Sequence, residues 1–398
     1  MANYELLSEN IIQKMKTERE NGTFEKFAFE EKNAVCRGGK SPWQGYFTPF
    51  TSDINKIMRC PNFSRYADKT QVYSLFKNDD MTRRSLHVQF VSRISRTIGE
   101  ALHLNLNLIE AIALGHDLGH PAFAHGGEHL LDKFYREHTG RRFLHNIHSV
   151  RVLDKIHAYS LHLETLNGIA AHNGELELDE YRPVELKTFE EFDKIIERCY
   201  TDKKFADKIM PSTLEGAVVR ISDIIAYLGK DREDAILAKA VQKSDFEETE
   251  LGSDNAEMVN NLIVNVIENS YGKPYIKLDH AHFEALRKAK RENYEKIYNH
   301  AGAHTGLGDV IEPMMRNVYE QLLEDVKKGN KTSPIFTHHI KHVNRFSGAR
   351  QTPYEAEEPN QLVVDYIASM TDDYFIELHD FLFKNSEYKV NYRGYFGE

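Results

Sequence analysis

Residues Met81 to Glu128 read MTRRSLHVQFVSRISRTIGEALHLNLNLIEAIALGHDLGHPAFAHGGE, and this stretch decides the fold. Leu86, Phe90, Ile94 and Ile98 recur at helical spacing around His87. A second apolar helix then ends in His116 and Asp117 side by side. Two imidazoles and a carboxylate brought together by two helices form a mixed nitrogen and oxygen donor set, suited to a first-row divalent ion with room for water or phosphate oxygens. A closed thiolate site is excluded, because no CxxC pair occurs. Neighbouring helical residues point about 100° apart, so the doublet can share one ion only where the helix opens. Gly115, Gly119 and Pro121 supply that opening. The missing carboxylate is best sought in Asp223, the lone acid of an otherwise apolar run (VVRISDIIAYL), where an unpaired charge is costly.

Working outward, His125 and Glu128 stand at i and i+3, close enough for the carboxylate to orient the imidazole and raise its basicity. Arg84 lies three residues before His87, nearly on the same helical face, where a guanidinium can grip phosphate oxygens in a fork. By composition alone the cluster of Arg83, Arg84, Arg93 and Arg96 reads as a solvated face before it reads as a phosphate site. Tyr227 and Asp231 follow Asp223 at i+4 and i+8 on one predicted helix, as a floor for a sugar ring or, for the tyrosine, as core packing.

His87, the His116-Asp117 doublet and Asp223 resemble the four metal ligands of the HD phosphohydrolase superfamily. HDLGHPAFAHGGE resembles its dGTPase-like branch, the deoxynucleoside triphosphate triphosphohydrolases. KTQV (from Lys69), RRSLH (from Arg83), FLHNIHSVRVL (from Phe143), STLEGAVVRISDIIAY (from Ser212) and DYIASMTDDY (from Asp365) occur in that family's order. The likeness is strong over residues 50 to 235 and weaker beyond. It implies an all-α fold with an HD helical core and an additional helical C-terminal lobe. It also implies hydrolysis of a dNTP, dGTP favoured, to deoxynucleoside and tripolyphosphate, with a divalent ion: Mn²⁺ or Mg²⁺ first, Fe, Ni, Co or Zn also compatible.

Residue by residue, the resemblance makes His125 and Glu128 catalytic and Arg84 a phosphate ligand. Gln71 becomes the reader of the sugar 3'-hydroxyl, and His145 and Asn146 groups facing the triphosphate. His172 falls where relatives place a basic group, and Tyr227 with Asp231 is expected under the deoxyribose. His120 is placed with the catalytic group, with phosphate binding, ligand support and a second metal as alternatives. The chain departs from the family pattern at Ser64, His148 and Ile224, where arginine, glutamine and an acid are commoner.

The remaining chain supplies bounds. At 398 residues and a formal charge of -10, the composition argues against a generally basic nucleic-acid surface, so an anionic substrate needs the metal and a local basic cluster. Three widely spaced cysteines, no apolar run of membrane length and an opening (MANYELLSEN) without a leader pattern predict a cytoplasmic protein off the membrane. We expect an N-terminal helix over 4–20 and an irregular arm to 52, with Arg37 and Lys40 as phosphate contacts or a solvated turn. An HD core over 53–241 opens with helix to residue 75, broken at Pro61. The acidic stretch QKSDFEETELGSDNAE marks a boundary, and a C-terminal lobe over 242–398 has helical patterns at 256–269, 279–299, 309–328 and 360–384. NHAGAHTGLGDV lacks the preceding strand of a phosphate loop, and NRFSGAR reads as a solvated loop or an effector or subunit contact. The resemblance further implies a homo-oligomer, dimer-based and up to a hexamer, with a dNTP effector. It implies single-stranded DNA binding in some members, which the charge does not support. Two other readings stay open: the same chemistry on a nucleoside monophosphate, cyclic nucleotide or hyperphosphorylated guanine nucleotide, or a catalytically silent nucleotide-binding regulator.

Overall fold

The computed structural model describes residues 4–23, 26–37, 47–173, 178–299, 307–348 and 352–394. Lys40, most of the NHAGAHTGLGDV segment and Arg350 lie outside the described residues. The fold is all-α. In order come α1 (Glu9–Asn21), α2 (Pro49–Arg59), α3 (Pro61–Ser64), α4 (Arg84–Ala101), α5 (Leu106–Gly115), α6 (Ala124–Thr139), α7 (His145–Arg151), α8 (Leu163–Ala170) and α9 (Phe189–Cys199). They are followed by α10 (Lys203–Ala206), α11 (Leu214–Leu228), α12 (Lys230–Leu237), α13 (Asn255–Ser270), α14 (His280–Asn293), α15 (Glu312–Lys328), α16 (Lys341–Phe346), α17 (Pro359–Ala368) and α18 (Asp372–Leu382). The strands β1 (Glu180–Tyr181) and β2 (Ile276–Lys277) pair antiparallel.

The centre is α11, apolar nearly all round and buried along both faces, as a helix enclosed by others must be. It packs against α4, α5, α8 and α13. Its start is fixed by Thr213, whose hydroxyl accepts from Gly216 N. α5 starts in the same manner, with Asn105 accepting from Asn107 N and Leu108 N. Val88, Val91, Ile94 and Ile98 turn the buried stripe of α4 toward these two helices. α15 and α17 lie on α6, and one apolar cluster runs without a break from Phe50 to Leu378. The tie between α7 and α17 is polar: Arg151 Nε donates to Asp365 Oδ1 at 2.8 Å, with Tyr354 and Gln361 on the same carboxylate. No helix among the described residues is long and apolar enough to cross a membrane.

Three expectations about elements change. Helix does not continue to residue 75: it ends by Asp68, and Lys69 to Val72 is non-helical, with Thr70 pairing across to Arg83. The single pattern expected over 360–384 divides into α17 and α18 around Met370. Tyr227 and Asp231 sit on two helices, not one, since α11 ends at Leu228 and α12 begins at Lys230. At Gly229 between them, a Cβ would lie 2.8 Å from the Asn255 Cα, so α13 presses on the break. Arg37 is no phosphate contact: it forks onto Asp154 and Asp193 at 2.8–2.9 Å and pins the N-terminal arm.

Candidate active site

His116 begins the turn that ends α5. Its Nδ1–H donates to the Ala113 carbonyl at 2.7 Å, which fixes the tautomer and leaves the Nε2 lone pair buried with no hydrogen-bond partner. That Nε2 lies 3.8 Å from Asp223 Oδ1 and 3.6 Å from Asp117 Oδ2. His87 Nε2, brought by α4, is 3.0 Å from the same Asp223 oxygen. Burial alone would raise the Asp223 carboxyl, but His87 and His116 outweigh it and hold it down at about 2. Orphaned nitrogen, ionised carboxylate and converging imidazoles fit a divalent cation. Arg84 forms an ion pair with Asp117, both buried.

The chain after the doublet is tightly held. Gly119 can only be glycine: a Cβ there would stand 2.2 Å from Ser149 N, whose side-chain hydroxyl accepts from Gly119 N at 2.8 Å. Phe123 and Ala124 then take left-handed backbone (φ +62° and +51°), a conformation that costs non-glycine residues about 1–3 kcal/mol each. This turn starts α6 and sets His125 and Glu128 on its first turn.

Glu128 does more than orient one histidine. Its Oε2 lies 3.3 Å from His125 Nδ1, while Oε1 accepts from both His145 N (2.8 Å) and His145 Nδ1 (2.9 Å). Burial disfavours the His145 imidazolium, but Glu128 and Asp117 override it and push His145 up to about 9. His120 stays neutral, burial and then Arg84 driving it well below the usual histidine range. Its ring lies 4.9 Å from His145 and 5.1 Å from His125.

These groups share a cleft of about 570 Å³, lined among others by Arg84, His87, Asp117, His120, His145 and Asp223. Gln71, His125, Glu128, Tyr227 and Asp231 line it too. An adjoining pocket of about 270 Å³ shares Gln71, His87, Tyr227 and Asp231 and adds Leu86, Phe90 and Ala226. Gln71 Oε1 and Asp231 Oδ1 are both buried acceptors without a partner. Asp231 is pushed up to about 7 by burial, and the Tyr298 hydroxyl donates to its other oxygen.

Two expected substrate contacts stand elsewhere. Asn146 is buried against α8, its Nδ2 donating to the Ala170 carbonyl at 2.6 Å, and does not line the cleft. One residue along a helix turns the side chain by about 100°, and here that turn carries Asn146 from the cleft side of α7 onto α8. His172 lies behind the doublet, its Nδ1–H donating to the Ile169 carbonyl at 2.7 Å and its Nε2 3.8 Å from Asp117 Oδ1. Burial brings it down to about 3, so it carries no charge for a phosphate. His148 faces Asp365 at 4.0 Å, away from the cleft, and Arg96 is taken by Glu110 at 2.6 Å. The reading of the sequence missed Arg142, Lys203, Lys290, Tyr294 and Tyr298 on the walls. The four-residue spacing of Lys290, Tyr294 and Tyr298 was the only available signal.

The HD domain family matches residues 84–228, and the Phosphohydrolase-associated domain family matches residues 276–380. A protein of Clostridium tetani described as a deoxyguanosinetriphosphate triphosphohydrolase-like protein is 31% identical over 341 residues, covering 83% of this chain and 84% of that one. Proteins of the same description from Caldanaerobacter subterraneus (31%, covering 82% of each chain) and Clostridium perfringens (32%, covering 82% and 84%) are similarly related. Among solved structures, a hypothetical protein from Aquifex aeolicus aligns with a TM-score of 0.37 and 17% identity, over 84% of this chain and 72% of that one.

Proposed function

This chain belongs to the deoxyguanosinetriphosphate triphosphohydrolase-like family of HD-domain phosphohydrolases, and from that premise we propose that it hydrolyses a deoxynucleoside triphosphate, dGTP first among them, to deoxynucleoside and tripolyphosphate. Water attacks the α-phosphorus, the bond from phosphorus to the sugar 5'-oxygen breaks, and a proton reaches that oxygen. The observation that supports the reading is the convergence of His87, His116 and Asp223, with Asp117 3.6 Å from His116, beside the Glu128-bridged pair His125 and His145; we read the first four as a cation cradle.

A divalent ion in that cradle, Mn²⁺ or Mg²⁺ before Fe, Ni, Co or Zn, would supply Lewis-acid charge beside the α-phosphate. Arg84 and the charged His145 neutralise phosphate oxygens, and Arg142 and Lys203 on the same wall extend that positive strip toward the tail. His125 turns Nδ1 to Glu128, which leaves Nε2 as the atom that carries a proton in the cleft. Help of this kind is worth about 10²- to 10⁴-fold. His120 forms the neutral wall between them. Gln71 and Asp231 receive the 3'-hydroxyl, Tyr227 packs under the deoxyribose, and the base enters the apolar pocket of Leu86, Phe90 and Ala226. His172 and Asn146 support the wall.

The same reading keeps the division into an arm (1–52), an HD core (53–241) and a C-terminal lobe (242–398) as a division of chain; the apolar core is shared. We carry cytoplasmic location, which three free buried cysteines suit, together with a dimer-based oligomer and a dNTP effector, as parts of the proposal. The test is turnover of each dNTP and rNTP with each metal, both products being identified by chromatography. Tripolyphosphate is expected; orthophosphate or pyrophosphate as the released product would overturn the reaction.

A further inference from the structure

DYIASMTDDY, the one family-like string that contributes no group to the cleft, forms the junction between α17 and α18. Its Asp372 is buried and reaches two places at once. Oδ1 accepts from Phe123 N at 2.9 Å, and Oδ2 accepts from the Thr70 hydroxyl at 2.6 Å. Thr70 immediately precedes Gln71; Phe123 is the first residue of the left-handed turn that starts α6. One turn along α18, Phe375 meets the Phe123 ring edge-on at 5.3 Å. The same junction is gripped from below by Lys69, whose Nζ donates to the Ala368 carbonyl at 2.8 Å and to the His120 carbonyl.

We propose that Asp372 is a positioning residue: it holds the Phe123–Ala124 turn in its left-handed form and so aims His125 and Glu128 into the cleft, in register with Gln71. Left-handed backbone at a phenylalanine and an alanine persists only where surrounding contacts over-determine it. Here the backbone amide and the ring of Phe123 are each held by α18. Through this contact the phosphohydrolase-associated segment controls chemistry without touching substrate. The inference rests on the assignment of His125 and Glu128 as catalytic.

The experiment uses the full chain and two readouts. In hydrogen–deuterium exchange of the metal-free protein, Asp372→Ala is expected to speed exchange across residues 121–127 about tenfold while α4 stays at its wild-type rate. In nucleotide hydrolysis, Asp372→Ala should lower kcat about 10²-fold and, because Glu128 also holds His145, raise KM by no more than Glu128→Gln does. Placed on His125→Ala, it should add less than about threefold to the loss of kcat, because an aimed group that is gone cannot be misaimed. Asp372→Asn, which keeps an oxygen for Phe123 N, should retain more activity than Asp372→Ala and exchange at nearly the wild-type rate over 121–127; Asp372→Val, which also removes the oxygen, takes the alanine criteria should the alanine variant be insoluble. Unchanged exchange over 121–127, or a loss that multiplies onto His125→Ala, overturns the proposal. A wild-type chain that turns over no nucleotide refutes the proposed reaction instead, and the exchange readout still decides the role of Asp372.

Discussion

His145 Nδ1 lies 2.9 Å from Glu128 Oε1, so one carboxylate serves two histidines on different helices. Glu128→Gln keeps the shape and removes the charge, and an amide can satisfy the His145 backbone N–H but cannot hold two imidazoles as donors. The variant is therefore expected to combine two losses: kcat falls about 10²-fold or more through His125, and KM rises through His145. His125→Ala should lower kcat alone. Steady-state kinetics of the two variants checks this, and an unchanged KM in Glu128→Gln would show that His145 does not depend on Glu128.

Asp223, 3.0 Å from His87 and 3.8 Å from His116, is the carboxylate that completes the proposed cradle. Asp223→Ala should reduce metal per chain, measured by elemental analysis after dialysis, from near one to below about a tenth, and added metal should no longer raise Tm. Chelation of the wild type should mimic the variant. Stoichiometric metal in Asp223→Ala would place the ion elsewhere.

Gln71 Oε1 and Asp231 Oδ1 are both without a partner, and in the proposed site the 3'-hydroxyl donates to Asp231 while accepting from the Gln71 amide NH₂, a pairing that predicts sugar selectivity. A pocket built to hydrogen-bond a hydroxyl rejects the analogue without it, commonly by about 10⁴-fold, since buried polar groups are then left unpaired. A dNTP should therefore exceed its 2',3'-dideoxy analogue by about 10²- to 10⁴-fold in kcat/KM. In Gln71→Ala and Asp231→Asn the ratio should shrink to within about tenfold, mainly through loss on the dNTP. Equal turnover of both analogues by the wild type would sink the assignment.

Much of this site was legible in the chain. His87 and the doublet follow from apolar spacing, and Asp223 from the cost of a lone acid in an apolar helix. The segment around Gln71 was not: its non-helical form is set by Arg83 across the bridge and by Asp372, 302 residues beyond Thr70, and no local pattern encodes a partner so distant. Asn146 was expected in the cleft because string similarity carries both residues of a pair; its position against α8 depends on a packing contact 24 residues away that the string does not encode. Arg142 and Lys203 were invisible because their own surroundings read as ordinary surface, and the cleft that gathers them is built by contacts between separate segments.

Outside the cleft, Glu164 offers a pH signature of the fold. It is buried, accepts from Val35 N at 3.3 Å, and is pushed up to about 7 by burial. An acid whose folded-state value is raised holds its proton in the native chain after the unfolded chain has lost it. Stability from this group is thus complete below about pH 4.5 and falls as pH rises to about 7, by about 3 kcal/mol at 1.36 kcal/mol per unit. Glu164→Gln removes the ionisation and keeps an oxygen for Val35. Urea unfolding at pH 5, 6, 7 and 8 should show the variant gaining on the wild type with each step up to about pH 7 and holding that gain at pH 8. Other groups, Asp231 among them, titrate in the same window, but they are common to both proteins and cancel in the difference. Parallel curves across the window would mean that Glu164 is ionised in the native chain and that Val35 N compensates its burial.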